Sequence, residues 1–332
     1  MGDRRDDGVV TTSPRLGICF PRELEPALVV EFARRLDAGG VDELWVIEDC
    51  FYTAGITLAA TALAHSETLT VGIGILPAVT RNVSTTAMEL ATMARLAPGR
   101  IVAGIGHGVR SWMEQIGARP ESPVGALTEV VTALRRLLAG ESVTMAGAYV
   151  ELHDVRLDVV PSPPPPVLAG VRRPKSLAAA GRCADGIILT ELTGPSAVRD
   201  SLATANPAGR FDTVVYTAVS IDDDRHEARR AVAPFIAETL ASGGNFGLQS
   251  APFHDELLTL VDRHGVDGVA SAPDDWWIEL GAIGTPDDVE AHVEALGAAG
   301  ATTVAFFPPP VVDAALTQLD RVINDVVCRL AT

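Results

Sequence analysis

The chain has 332 residues, 47% of them hydrophobic and 21% charged, which is too long and too apolar for a disordered, collagenous or small disulfide-stapled protein. Twenty-six basic against forty-three acidic residues leave a formal charge of −17, and a surface field of that sign repels nucleic-acid backbones and anionic membranes. The expected partner is a small-molecule substrate, with no nucleic acid and no membrane.

Four cysteines, Cys19, Cys50, Cys183 and Cys328, stand far apart without CxxC spacing. Neither a disulfide framework nor a zinc site is indicated, and a reducing cytoplasm is the expected location. Met1 to Ser13 is charged and polar with no apolar stretch behind it, so residues 1–14 read as a flexible tail and 15–330 as a single domain. No run approaches the roughly 18 apolar residues of a membrane span.

From Arg15 the pattern alternates. RLGICF (Arg15 to Phe20) reads as a buried strand and Glu23 to Ala38 as an amphipathic helix ended by Gly39-Gly40. The unit recurs with strands at Glu43 to Ile47, Leu69 to Leu76 and Ile101 to Ile105, separated by helices at Ile56 to His65 and Val83 to Leu96. After a helix near Val124 to Leu138, Ser142 to Val160 alternates as a hairpin around Ala146-Gly147, closed by the prolines from Pro161 to Pro166. Strands resume at Val167 to Ala169, Gly186 to Leu189, Thr213 to Ser220 and Thr303 to Phe307, with a helix at Pro174 to Arg182. The helix before the last strand has Thr285 placed to cap it, Pro286 at its first position and Asp287-Asp288 at its positive end.

Eight strands of this kind predict an α/β fold, a closed (β/α)8 barrel with an inserted hairpin and a long excursion from Ile221 to Gly284 between strands seven and eight. An open doubly wound sheet is the alternative, but no GxGxxG follows the first strand. Chemistry on such a barrel sits at the C-terminal ends of the strands.

The residues at those ends are the site candidates. Strand two ends in Glu48-Asp49-Cys50, two acids able to orient a substrate or move protons, or else two solvated loop acids. Cys50 shows neither a base nor a source of lowered pKa and reads as packing. Strand three ends around Gly74 and Ile75, and strand four in Gly104-Ile105-Gly106-His107-Gly108, where glycines bare the backbone and expose a histidine. After strand five, Gly170-Val171-Arg172-Arg173-Pro174-Lys175 brings three cations to a helix start in a strongly acidic chain, the pattern of a phosphate site. Lys175 at a helix start is a poor Schiff-base candidate. Asp222-Asp223-Asp224 and Asp274-Asp275 read as helix-start acids. Trp276-Trp277 is either a lid over the mouth or core. HExxH, GxSxG, P-loop and EF-hand patterns do not occur.

These segments, together with GVDELWVIED (Gly40 to Asp49), LTVGIGILP (Leu69 to Pro77), AMELATMARLAPGRIVAGIGHG (Ala87 to Gly108), LLAGESVTMAGAYVEL (Leu137 to Leu152), PPPPVLAG (Pro163 to Gly170), AGRCADGIIL (Ala180 to Leu189) and IGTPDDVEAHVEALGAAGATTVAFFP (Ile283 to Pro308), carry a resemblance in their order and spacing. Over nearly its whole length the chain resembles the bacterial luciferase-like superfamily of flavin- and F420-dependent oxidoreductases, above all its methylenetetrahydromethanopterin-reductase-like branch. The resemblance implies a barrel that binds F420, or alternatively FMN, at its C-terminal mouth and exchanges hydride with a small organic substrate. It implies a homodimer or higher homo-oligomer. It also implies that Gly74 and Ile75 form a backbone bulge under the cofactor ring, with a non-prolyl cis peptide in F420-using members. Gly106, His107 and Gly108 then lie beside the ring, and Gly170 to Lys175 hold the phosphate.

Two departures matter. Many members carry Asp-His at the end of strand two, where this chain has Glu48-Asp49-Cys50, so no histidine role is carried over there and His107 is the candidate to fill it. Arg172-Arg173-Pro174 replaces a glycine-rich stretch. On this reading His107, Glu48 and Asp49 are the catalytic candidates. An FMN-dependent monooxygenase and a non-catalytic flavin-binding barrel are the alternatives.

Overall fold

The computed structural model describes residues 13–243 and 246–330. Of the tail read at 1–14, all but Ser13 and Pro14 lies outside the described residues. The strands are β1 (Arg15–Cys19), β2 (Glu43–Val46), β3 (Thr70–Pro77), β4 (Ile101–Gly106), β5 (Val143–Ala146), β6 (Glu151–Val155), β7 (Val167–Gly170), β8 (Gly186–Leu189), β9 (Asp212–Ile221), β10 (Ala282–Gly284) and β11 (Thr303–Phe307). Eight of them close a parallel barrel in the order β1-β2-β3-β4-β7-β8-β9-β11, with β11 pairing back to β1. The open-sheet alternative is thereby excluded. The strands read as near-continuous apolar runs because helices cover their outer face while side chains fill the inner one.

β5 and β6 form a separate antiparallel pair. The excursion contributes a strand that the sequence reading lacks: β10 pairs parallel with the upper end of β9, Ala282 opposite Val219 and Gly284 opposite Ile221. Three residues are too few for periodicity to reveal. The helices Arg110–Gln115, Pro195–Ala205 and Val312–Arg321 are likewise additions. The predicted cap before the last strand is present as a full capping box, the Thr285 hydroxyl and main chain both engaging Asp288.

The barrel interior is a small core of its own, built from Cys19, Trp45, Val102, Leu168, Ile188, Val214, Tyr216 and Ala305. The Trp45 and Tyr216 rings meet edge to face at 5.7 Å and 66°. They fit because the facing wall of β3 lacks side chains: a Cβ on Gly72 would land in the Trp45 ring and one on Gly74 would strike the Tyr216 hydroxyl. At the closed end Glu43 is buried, yet every polar contact is met. It accepts from Arg15 Nε at 2.6 Å, from Trp45 Nε1 at 2.8 Å and from the Thr303 hydroxyl at 3.3 Å. Burial pushes the Glu43 carboxyl above its ordinary value against the pull of Arg15.

Outside the barrel a second core, with Ala228, Val232, Ile236, Leu257, Trp277 and Leu280 among its members, holds the excursion together and rests on Leu192 and Ala218. Trp277 donates its indole N–H to the Ala272 carbonyl at 3.2 Å, and Trp276 stacks on Phe253 at 4.4 Å. Of the two readings for this pair, core is the one the structure supports. Arg229, 4% exposed, lies over the Trp277 ring at 4.9 Å and pairs with Asp274 at 2.5 Å. His292 joins the excursion to the barrel. Its Nδ1 donates to the Ile278 carbonyl at 2.8 Å, which leaves Nε2 to accept from the Thr217 hydroxyl at 2.9 Å.

Two outcomes follow from this packing. Gly72→Ala overpacks the Trp45 side of the interior and is expected to cost about 1–3 kcal/mol in denaturant-induced unfolding. Burial holds the His292 pKa at about 4, below its ordinary 6.5, so the unfolded chain takes up a proton first on acidification. The contribution is complete above pH 6.5 and is lost as the pH falls from there to about 4, at about 1.4 kcal/mol per unit. Unfolding free energies measured at several pH values in this window should fall less steeply for His292→Gln than for the parent chain.

Candidate functional site

At the barrel mouth β3 does not run straight. Its pairing with β4 slips between Ile73 and Leu76, and the Gly74–Ile75 peptide is cis, as is Cys50–Phe51. The slip turns the Ile75 side chain across the mouth, where glycines make room for it. A Cβ on Gly106 would stand 2.8 Å from Ile75 Cδ1, and one on Gly170 would stand 2.5 Å from Ile75 Cγ2. The glycines of β4 and β7 therefore serve packing of Ile75 as much as they bare backbone. Gly108, at φ +69, is in the left-handed region where the chain turns off β4.

The acids at the end of β2 are both engaged by arginines. Glu48, 9% exposed, accepts from the Gly55 N–H at 2.9 Å at the first turn of the helix Gly55–Ala64 and takes a two-pronged pair from Arg81, with Nη2 at 2.7 Å. Arg81 in turn reaches Glu89 at 3.7 Å. Glu48 thus ties the end of β2 to the helix that follows it and to the loop beyond β3. Asp49 pairs with Arg22 from the loop after β1. Arg22 also meets Glu23 at 2.9 Å and lies over the rings of Tyr52 at 4.8 Å and Trp112 at 5.7 Å. Phe51 and Tyr52 stand exposed on this rim.

His107 occupies the junction between the β4 end and the cationic loop. Its Nε2 shares a 2.9 Å hydrogen bond with the Ser176 hydroxyl, while Nδ1 is buried without a hydrogen bond of ordinary geometry. Burial lowers its pKa, partly countered by the Pro123 main chain, so the ring is neutral at neutral pH. Ser176 belongs to the first turn of the helix Pro174–Cys183, whose N-cap residue Arg173 gives no side-chain cap. The free N–H groups of that turn face the loop Gly170 to Lys175. Val171 is buried there, whereas Arg172, Arg173 and Lys175 reach solvent and, among the described residues, form no ion pair at salt-bridge distance. The two arginines flank Phe246 of the excursion, at 5.1 and 4.4 Å from its ring. A helix start and cations without ion pairs among the described residues together fit a phosphate-bearing group.

A model of the luciferase-like monooxygenase family matches residues 11–303. The chain belongs to that family. It is 26% identical over 313 residues to the 5,10-methylenetetrahydromethanopterin reductase of Methanolobus tindarius, covering 86% of this chain and 91% of that one. It is 30% identical over 244 residues to the F420-dependent glucose-6-phosphate dehydrogenase of Nakamurella multipartita, covering 70% and 68%. The fold matches the coenzyme F420-dependent tetrahydromethanopterin reductase of Methanopyrus kandleri with a TM-score of 0.75 and 21% identity, over 96% of this chain and all of that one. This luciferase-like chain is accordingly an enzyme of an oxidoreductase family, with the closed barrel of its relatives. None of its described helices is long and apolar enough to cross a membrane.

Several mouth residues escape the sequence reading. Arg22, Arg81 and Trp112 sit in loops or short helices where nothing in the spacing distinguishes them, and Phe246 comes from the excursion. Glu191 had a usable signal, since it stands two residues beyond β8, where the rule that pointed to Glu48 applies equally. Removing the Ser176 hydroxyl leaves His107 Nε2 without its partner. Ser176→Ala is expected to cost about 1–3 kcal/mol in unfolding free energy, with a shift of the His107 ring resonances in NMR titrations.

Proposed function

We propose that this luciferase-like chain is an F420-dependent oxidoreductase that transfers hydride between the deazaflavin and a small organic substrate. The observation that carries the reading is the cation loop: among the described residues Arg172, Arg173 and Lys175 stand without ion pairs at a free helix start in a chain of charge −17, beside His107, which is hydrogen-bonded to Ser176 of that helix. The F420 dependence of the dehydrogenase relative supports the choice of cofactor.

In this reading the loop from Gly170 through Val171 to Lys175 holds the phosphate, while Gly106, His107 and Gly108 line the ring from β4 and Gly74 and Ile75 support it from β3. When bound, F420 supplies two-electron hydride chemistry. The protein's part is to place the ring and exclude water. Glu48, locked to Arg81 and the helix Gly55–Ala64, and Asp49, locked to Arg22, orient the β2 rim as charged pairs; His107 couples the end of β4 to the phosphate loop through Ser176. The proposal extends to one barrel domain over residues 15–330, a homodimer or higher homo-oligomer as the family resemblance implies, and a cytoplasmic location, supported by four free cysteines.

Equilibrium titration of the protein with F420 and, separately, with FMN tests the reading. F420 should bind, and the Arg172→Ala/Arg173→Ala double variant should weaken that binding by about tenfold or more, the equivalent of at least one charge-assisted contact. Tight binding of FMN in place of F420 would move the assignment to a flavin monooxygenase. Binding of neither would remove the redox assignment.

A further inference from the structure

The β1–β4 side of the mouth is built differently from the cationic loop after β7. Each arginine there is engaged by an acid. Arg22 of the loop after β1 pairs with Asp49 and with Glu23 at 2.9 Å, and Arg81 of the loop after β3 pairs with Glu48 and reaches Glu89 at 3.7 Å. After β4, Arg110 and Arg119 meet Glu114 at 3.0 and 2.6 Å. Among the described residues the loops after β1, β2, β3 and β4 therefore hold no arginine or lysine without an acid. What this side presents is aromatic surface. The turn after β2 is closed by the Tyr52 N–H on the Asp49 carbonyl at 2.8 Å, and Tyr52 is 53% exposed. The helix Arg110–Gln115 is pinned at the ends of β3 and β4 by the buried Met113: a Cβ on Gly108 would stand 3.0 Å from Met113 Sδ and 3.1 Å from Pro77 Cβ. Trp112, next to that anchor, lies 5.7 Å from the Arg22 guanidinium, which is also 4.8 Å from the Tyr52 ring. One guanidinium, already neutralised by acids, thus joins two rings that come from the ends of β2 and β4.

We infer that this side of the mouth receives the substrate, and that the substrate is uncharged and carries an aromatic ring that packs against Tyr52 and Trp112. The inference rests on the oxidoreductase reading above for calling this ligand the substrate. A phosphorylated or carboxylated compound needs a cation whose N–H donors are free, and here the guanidinium donors are turned to carboxylates. It would also meet the charges of Asp49 and Glu48, one half-buried and the other buried, where water screens repulsion least. Tyr52 and Trp112 instead offer broad apolar faces on side chains with few rotatable bonds. Arg22 lies against both rings, so little of their freedom is left to lose when a ligand packs on them. The two sides of the mouth then sort their ligands by charge. Arg172, Arg173 and Lys175 take the phosphate-bearing cofactor, and the Asp49–Arg22 pair keeps anions from the substrate side.

Ligand-observed saturation-transfer NMR on the cofactor-free protein tests this with three ketones: acetophenone, its anionic analogue 4-acetylbenzoate, and the ring-saturated cyclohexyl methyl ketone. Acetophenone should bind, 4-acetylbenzoate about tenfold or more weakly, and the saturated ketone about threefold or more weakly. Trp112→Leu and Tyr52→Leu keep apolar bulk but remove the ring. Each should weaken acetophenone by about three- to tenfold, the range of a lost aromatic pair, and bring it towards the saturated ketone. Asp49→Asn, which releases Arg22 from one acid, should improve 4-acetylbenzoate by about fivefold or more and leave acetophenone within about threefold. If that variant does not fold, Glu23→Gln removes the other acid on Arg22 and should act in the same direction. The inference is overturned if 4-acetylbenzoate binds the parent as tightly as acetophenone, if acetophenone does not bind, or if both ring variants keep the parent's affinity. None of these readings involves F420. Failure of the parent to bind F420 would therefore overturn the cofactor reading and leave the ligand preference standing.

Discussion

Filling the axis of an eight-stranded barrel is the constraint on which the rest of this molecule depends. A barrel of this size has room for side chains but not for water, and here two aromatic rings, Trp45 from β2 and Tyr216 from β9, cross the centre. Rings that large displace whatever faces them, so β3 carries Gly72 and Gly74 opposite them. One layer higher Ile75 does the same to Gly106 and Gly170. The glycine-rich strand ends are thus imposed from below by packing. The wall of bare backbone at the mouth is the by-product that a planar ligand can use.

Electrostatics then divide the mouth into two zones. On the β1–β2 side each acid has an arginine: Asp49 has Arg22 and Glu48 has Arg81. These pairs neutralise one another and stiffen the rim, with the rings of Tyr52 and Trp112 flanking Arg22. On the β7 side the cations have no such partners among the described residues, and the helix start adds its own positive end. Three cations together at one helix start make the local field positive within a surface that is otherwise acidic.

The excursion between β9 and β11 belongs to the same arrangement. Its core rests on Leu192, the residue next to Glu191, and on Ala218 of β9, while β10 prolongs the upper part of β9. His292 holds the far end by two hydrogen bonds. The excursion reaches the β7 side of the mouth through Phe246, against which Arg172 and Arg173 lie, and its tryptophans are spent on internal packing.

Local sequence by itself determined the alternation of strand and helix, the hairpin at Val143 to Val155 and the cap at Thr285, because these depend on periodicity, turn residues and neighbours a few positions away. It also marked which strand ends bear acids, glycines and cations. The three-residue strand β10 was beyond its reach, since it exists only through pairing with β9. So were the charge states at the mouth: Glu48 and Arg81 lie 33 residues apart and Asp49 and Arg22 lie 27 apart, and no local pattern couples them. Whether an acid at a strand end is free or spent is decided by what the other strands bring beside it, and only barrel closure brings β1, β2, β7 and β8 to one rim.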